Sequence, residues 1–251
     1  MEINLKQIRS GKRKDPLRVL LYGPGGIGKS YWAAQWPDSI VLDIEDGLGG
    51  IDCSSLSLKE ANWENILEAL NMLAEEKHQY RTVIIDSLDW CERLMHIDIA
   101  NDRGVGSIGD LQFGAGYVQA LSYFERMIKY LELLRSKGVS IVLLCHAKVV
   151  SANDPMAAQY QRFGLSLNAK AAEKMAQWAA CVLFARMEIS LVTEQKDFGG
   201  TRKRAGGGER RLYCNESPSF TAKNRYALPD EMPLEYPVFA NHINSYFGDA
   251  K

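Results

Sequence analysis

Three features of the sequence predict an α/β fold, with a mostly parallel twisted sheet flanked by helices and antiparallel β additions at its C-terminal end. Apolar runs of strand length alternate with amphipathic helical stretches from residue 17 to residue 187. Beyond residue 187 the chain changes to short β-like runs joined by glycine-rich turns. No internal repeat divides the 251 residues, whose length suits one sizeable domain or two small ones. The organisation read here is a single domain over 17–247, preceded by a polar, basic segment (1–16) that is a tail or an oligomerisation arm.

The elements follow in order. LRVLLYG (17–23) is a short apolar run ended by glycine and predicts a buried strand. A helix is expected from Lys29 and stops before Pro37, because a proline ring cannot continue it. SIVLDIE (39–45) predicts a second buried strand. Trp63, Ile66, Leu67, Leu70 and Leu73 recur at helical spacing, so Asn62 to Tyr80 is expected to be helical. TVIIDS (82–87) predicts a third strand, with a helix after it to about Ala100. NDRGVGSIGDLQFGAGY (101–117) holds five glycines and few core-like residues, and predicts a long loop. Such loops in compact domains are usually functional or mobile. Helix returns from Gln119 to Lys137, with Leu121, Phe124, Ile128, Leu131 and Leu134 on one side. VSIVLLCHA (139–147) is a fourth strand, the polar stretch 150–167 a second long loop, and Asn168 to Trp178 a helix leading into the fifth strand, AACVLFARM (179–187). ISLVTEQ, RRLYCNE and FTAKNRY read as further strands, and 196–211 as a basic, glycine-rich hairpin.

Composition excludes some classes of function. An apolar share of 46% is ordinary for a globular protein, and a formal net charge of −1 gives no global basic field for nucleic acid. Any such contact must be a local patch. The five cysteines are widely spaced, without a CxxC pair, and read as reduced intracellular thiols and not a disulfide frame or zinc site. No apolar stretch approaches the ~20 residues that span a bilayer, and the first residues lack an apolar signal region. The expectation is a soluble cytoplasmic protein with no membrane partner.

The first strand leads into GPGGIGKSY, the spacing G-x-x-x-x-G-K-[ST]. A polyphosphate needs several donors converging on it without side-chain obstruction, and glycines let backbone N–H groups turn inward. Gly23, Pro24, Gly25, Gly26, Ile27, Gly28, Lys29, Ser30 and Tyr31 are the expected nucleotide-binding segment. Lys29 would reach the β- and γ-phosphates of ATP, and the Ser30 hydroxyl would ligate Mg2+. Asp86 ends a buried strand beside this loop and is the expected second metal-side residue. The second strand ends in VLDIEDG, where Asp43 and Glu45 share a face and Asp46 turns away. Glu45 is the candidate to orient and deprotonate a water near the γ-phosphate. His146, at the end of the fourth strand, is the candidate to sense the γ-phosphate and pass its state to the adjoining loop. Each of these has a plainer alternative: turn capping for the carboxylates, a satisfied interior residue for the histidine.

These four parts, in this order, resemble the RecA-like P-loop NTPase core. In that family the corresponding strand ends carry the catalytic Glu, the Walker B Asp and a polar sensor, usually Gln. Glu45, Asp86 and His146 match by position, with His in place of Gln a departure. The resemblance implies DNA-binding loops at 101–117 and 150–167, and a ring or filament with active sites between subunits. TAKNR (221–225) looks similar to the late AK-x-R strand of DnaB-type helicases, which implies that Lys223 and Arg225 enter a neighbour's active site. GDLQFGAGY, LLCHAK and GERRLYCNESPSFTAKNRYALP resemble a narrower group, the small bacteriophage single-strand annealing (Sak-type) RecA-like recombinases. That resemblance covers nearly the whole chain. It implies an ATPase that assembles on single-stranded DNA in a bacterial host cell and promotes annealing or strand exchange, with a single-strand-binding protein as a further partner.

Candidate DNA contacts are the rings Phe113, Tyr117, Tyr160 and Phe163, with Arg162, and the cations Arg202, Lys203 and Arg204. The segment 196–211 carries six cations against two acids, and reads equally as a phosphate-following strip or a solvated hairpin tip. Arg210 and Arg211, at its end, can also be structural. The rival functions are a DnaB-like helicase motor or helicase loader, a small-molecule P-loop kinase, and a non-enzymatic single-strand binder. A water-activating Glu45 and a finger supplied in trans both argue against the kinase.

Overall fold

The computed structural model describes residues 11–153, 156, 158–195 and 201–248. In chain order the elements are β1 (Arg18–Gly23), α1 (Lys29–Ala34), β2 (Ser39–Asp43), β3 (Ser54–Ser57), α2 (Trp63–Glu75) and β4 (Thr82–Asp86). Next come α3 (Leu88–Arg103), α4 (Ala115–Ser136), β5 (Ser140–Ala152), β6 (Tyr160–Leu165) and α5 (Ala169–Trp178). The chain then forms β7 (Cys181–Gln195), β8 (Thr201–Tyr213), β9 (Lys223–Asn224), β10 (Glu231–Pro233) and α6 (Tyr236–Phe247).

The expected α/β sheet is present. Its order is β10-β8-β7-β1-β5-β4-β2-β3, parallel from β7 to β3 and antiparallel at β8 and β10. The central strands are continuous apolar runs because both sheet faces are covered. Their side chains alternate between two cores. Leu20, Tyr22, Leu42, Ile85, Leu143 and Phe184 pack with the buried faces of α2 to α5. Leu21, Val41, Ile84, Val142, Leu144 and Leu183 face Trp32 of α1 and Phe239, Ile243 and Phe247 of α6. The result is a three-layer domain with its parallel strand ends aligned along one edge.

Several sequence expectations are corrected. The span 101–117 is not one loop: α3 runs to Arg103, two short 3-10 turns (Ile108–Asp110 and Gln112–Gly114) follow, and α4 begins at Ala115. Gly104 and Gly114 sit at positive φ as helix-end residues, and Ile108 is buried against Ile99, Ala100 and Ala120. Gly116 lies within α4 because a Cβ there would come within 2.7 Å of the Ile108 Cβ. The span 150–167 is not a loop either. β5 continues to Ala152 and pairs antiparallel with β6, from Ala147↔Leu165 to Ala152↔Tyr160. A two-stranded ribbon leaves its side chains partly solvated, which is why this stretch is polar. The strand expected over FTAKNRY shrinks to the two residues of β9. Three further elements escaped the sequence reading: the polar edge strand β3, the short strand β10, and α6, whose Phe239, Ile243 and Phe247 recur every four residues after an N-terminal proline.

Candidate nucleotide site

The ends of β1, β5, β4 and β2 bring the predicted residues to one edge. β1 is paired with β5 so that Gly23 stands opposite His146, and β2 with β4 so that Asp43 stands opposite Asp86. Gly23 is required by packing, since a Cβ there would lie 2.4 Å from the Ala185 carbonyl oxygen on β7. Gly28 is required by its backbone, at φ +108.

Lys29 is buried, and its ammonium donates to the carbonyls of Gly23 and Pro24, both at 3.1 Å. Burial lowers its pKa below the usual lysine range, against the carboxylates of Asp86, Glu45 and Asp89. Ser30 Oγ donates to Asp86 Oδ2 at 2.6 Å. Burial pushes the Asp86 carboxyl above the usual carboxylate range, while the Ser30 bond pulls the other way. Two oxygen ligands together, one of them a buried carboxylate with no ion-pair partner among the described residues, are the donor set a hard divalent cation takes. The residues present therefore fit Mg2+, with Ser30 and Asp86 as its protein side.

Glu45 stands across from Lys29 and Asp86. Its Oε2 accepts from Ser87 Oγ at 3.3 Å, and its Oε1 lies 3.7 Å from His146 Nε2. Asp46, at φ 59, turns to an ion pair with Lys59 at 2.7 Å, and Asp43 Oδ1 accepts from the Gly47 amide. His146 is oriented by a residue that sequence reasoning missed. Asp89, in the first turn of α3, accepts from the His146 backbone N–H at 3.0 Å and pairs with Nδ1 at 2.8 Å. That bond raises the His146 pKa, against burial. Burial raises the Asp89 pKa, but its bonds to His146 outweigh this and hold it below the usual range. Asp89 lies three residues after Asp86, so the strand that ends in one carboxylate starts the helix that supplies the other. That spacing was the available signal.

Lys223 and Arg225 are placed elsewhere. β9 pairs with the first residues of β7, Cys181↔Asn224 and Val182↔Lys223, at the end of the sheet opposite Gly23. The Lys223 ammonium donates to the carbonyls of Ala176, Gln177 and Ala179, closing the C-terminus of α5. Lys223 is thus engaged within its own chain, at odds with its expected entry into a neighbour's active site. Arg225 lies past the two-residue strand and is exposed.

The candidate DNA contacts divide. Phe113 is 101% exposed, at φ 55, and Tyr117 is partly exposed against His96. Tyr160 opens β6. Phe163 instead stacks on Phe184 with centroids 5.2 Å apart, and Arg162 is held by Glu216 and the carbonyls of Ser217 and Phe220. Neither is free to meet a base, a correction with two causes: Phe163 belongs to an aromatic cluster with Tyr22, Phe184, Tyr213 and Phe220, and Arg162 is taken up by the Glu216–Phe220 turn. Arg202, Lys203 and Arg204 belong to β8, opposite Glu194, Thr193 and Val192, and their side chains lie outside the described residues. So do the hairpin tip 196–200 and residues 1–10 of the expected arm.

A family model described as an AAA domain matches residues 15–226. No curated protein matches the sequence significantly. Among solved structures, the chain is similar to a RadB recombinase at 10% identity, over 86% of this chain and 85% of that one, with a TM-score of 0.47. It is also similar to a KaiC-like protein from Pyrococcus horikoshii OT3 at 14% identity, over 79% and 78% of the two chains, with a TM-score of 0.35.

Proposed function

The chain belongs to the AAA domain family, and from that premise we propose that it is a RecA-like ATPase of the phage single-strand annealing type. In this reading it binds ATP with Mg2+, assembles on single-stranded DNA, and promotes annealing or strand exchange. The observation that carries the reading is the grouping of Lys29, Ser30, Asp86, Glu45 and His146 at the ends of four parallel strands.

The chemistry follows from these side chains. Lys29, desolvated and held by two carbonyls, supplies charge to the β- and γ-phosphates. Mg2+, held by Ser30 and Asp86 with the phosphates, would neutralise charge on the phosphate oxygens. Glu45 orients a water and accepts its proton as the oxygen attacks the γ-phosphorus. The bond from that phosphorus to the bridging oxygen breaks, and ADP leaves with that oxygen. His146 has Nδ1 fixed by Asp89, which leaves Nε2 facing Glu45 and the reacting region. The β5–β6 ribbon begins at the next residue, and the Ser166 amide donates to the His146 carbonyl, so the sensor sits at the root of a projecting hairpin.

Support for assembly comes from Arg225. From the level of Cys181 to Gly23 the sheet runs four residues, ~13 Å at strand rise, so Arg225 cannot serve its own phosphates. In this reading Arg225 serves a neighbour's site. Support for single-stranded DNA comes from Phe113, an exposed ring in a left-handed conformation that only surrounding structure sustains.

The test is ATP hydrolysis with and without single-stranded DNA, over a range of protein concentration, for the wild type and Arg225→Ala. The rate per subunit should rise with DNA and concentration. It should collapse by ~10³-fold or more in the variant while nucleotide binding survives. A rate indifferent to concentration, DNA and Arg225 would sink the assembled-ATPase reading.

A further inference from the structure

Arg210 stands on β8, opposite Met187 of β7, next to a stretch that glycines make irregular. The pairing register shifts between Met187 and Ile189, and a Cβ on Gly208 would come within 2.7 Å of the Glu188 carbonyl oxygen. This bulge aims the following side chains. Arg211 takes one side of the strand, where its guanidinium has two carboxylate partners, Glu188 at 3.8 Å and Glu209 at 3.4 Å. Arg210 takes the other side and reaches the phosphate-binding loop. A Cβ placed on Gly28 would lie 3.1 Å from Arg210 Nη1 and 3.8 Å from Leu234 Cδ2. The backbone of Arg210 is pinned there as well, since its carbonyl accepts from the Leu234 amide at 2.9 Å.

Two cations therefore flank the last glycine of the loop: Lys29, buried beneath it, and Arg210, lying over it. Arg210 has no carboxylate partner among the described residues. Lys29 is buried and Arg210 is exposed, and two cations on either side of one loop favour an anion between them. A chain of phosphates in the loop supplies the missing charge, and a guanidinium fork matches phosphate oxygens.

We propose that Arg210 contacts the nucleotide in its own subunit, pairing with the phosphate chain from the β7–β8 side of the loop while Ser30 and Asp86 hold the opposite side. The inference rests on the nucleotide-binding reading above and adds to it a cis arginine from the C-terminal antiparallel strands. Through Arg210, bound ATP would also contact the base of the long β7–β8 hairpin.

The experiment is equilibrium titration of a fluorescent ATP analogue with Mg2+ and, in parallel, of a labelled single-stranded oligonucleotide, at two salt concentrations, for five proteins: wild type, Arg210→Ala, Arg210→Lys, Arg211→Ala and Lys29→Ala. A direct charged hydrogen bond to phosphate predicts a loss of ~10- to 100-fold in affinity for Arg210→Ala, partial recovery in Arg210→Lys, and a shallower salt dependence. Arg211→Ala, whose partners are carboxylates of its own ribbon, should bind as wild type. Because Arg210 is exposed, its removal leaves the core intact, and thermal melting checks this. If Arg210→Ala binds within twofold of wild type while Lys29→Ala fails to bind, the inference is wrong and nucleotide binding stands. A loss confined to single-stranded DNA affinity would likewise overturn it and assign Arg210 to the DNA backbone. If Lys29→Ala also binds as wild type, the nucleotide-binding reading itself fails.

Discussion

Asp89 turns a histidine at a strand end into a defined chemical group. Its carboxylate takes both the backbone N–H and Nδ1 of His146, so the ring cannot swing away from Glu45. The same bond raises the His146 pKa, so the imidazolium persists above ~6.5. The stabilisation from this pair is complete below the unfolded value of ~6.5 and is lost as pH rises through the higher folded value. Asp89→Asn should move the His146 midpoint, followed by the NMR shift of its ring protons, to lower pH. ATP hydrolysis should fall ~10- to 100-fold, with its pH profile displaced in the same direction. An unmoved midpoint would show that the two residues do not titrate together.

At the scale of elements, Glu92 joins α3 to the start of α5. Both its carboxylate oxygens accept from the Asn168 amide, at 3.0 and 2.9 Å. Burial pushes its pKa up to about 7, against that amide and Lys148. The folded value lies above the unfolded ~4.3, so the folded state holds the extra proton between them and stability falls as pH rises from ~4.3 to about 7. Glu92→Gln keeps an acceptor and removes the titration. Its melting temperature relative to wild type should rise by several degrees between pH 5 and pH 8, reflecting ~2–3 kcal/mol at most. Parallel melting curves across that range would exclude a buried titration at Glu92. The helices and strands involved were legible from periodicity, but this tie was not. Glu92 and Asn168 are 76 residues apart, and nothing local marks a glutamate for burial.

For the molecule as a whole, the proposed roles of Lys223 and Arg225 divide between folding and assembly. Lys223 satisfies three carbonyls at the end of α5, so Lys223→Ala should destabilise the isolated subunit by ~1–3 kcal/mol, read by denaturant unfolding. Arg225→Ala should leave unfolding unchanged and lower only the concentration-dependent ATPase rate. Equal destabilisation by both would place Arg225 in the fold of its own chain and remove the argument for a shared site.

The sequence by itself determined the sheet, most helices and the phosphate loop, because each is written locally. Buried parallel strands are unbroken apolar runs, helices repeat their apolar face, and the loop's glycine spacing has few other uses. Glu45, Asp86 and His146 could be proposed because each closes or follows a legible apolar run, although β5 continues past His146 to Ala152. Tertiary structure decided what depends on pairing between distant segments. It turned 150–167 into a ribbon, placed Phe163 in an aromatic cluster and Arg162 in a clamp, and set Lys223 on α5. It also brought Asp89 to His146 and Arg210 to Gly28, 182 residues away in sequence (210 minus 28). A charged side chain looks the same in a sequence whether its partner is a carboxylate, a helix end or a phosphate. Only the fold determines which of these lies within reach.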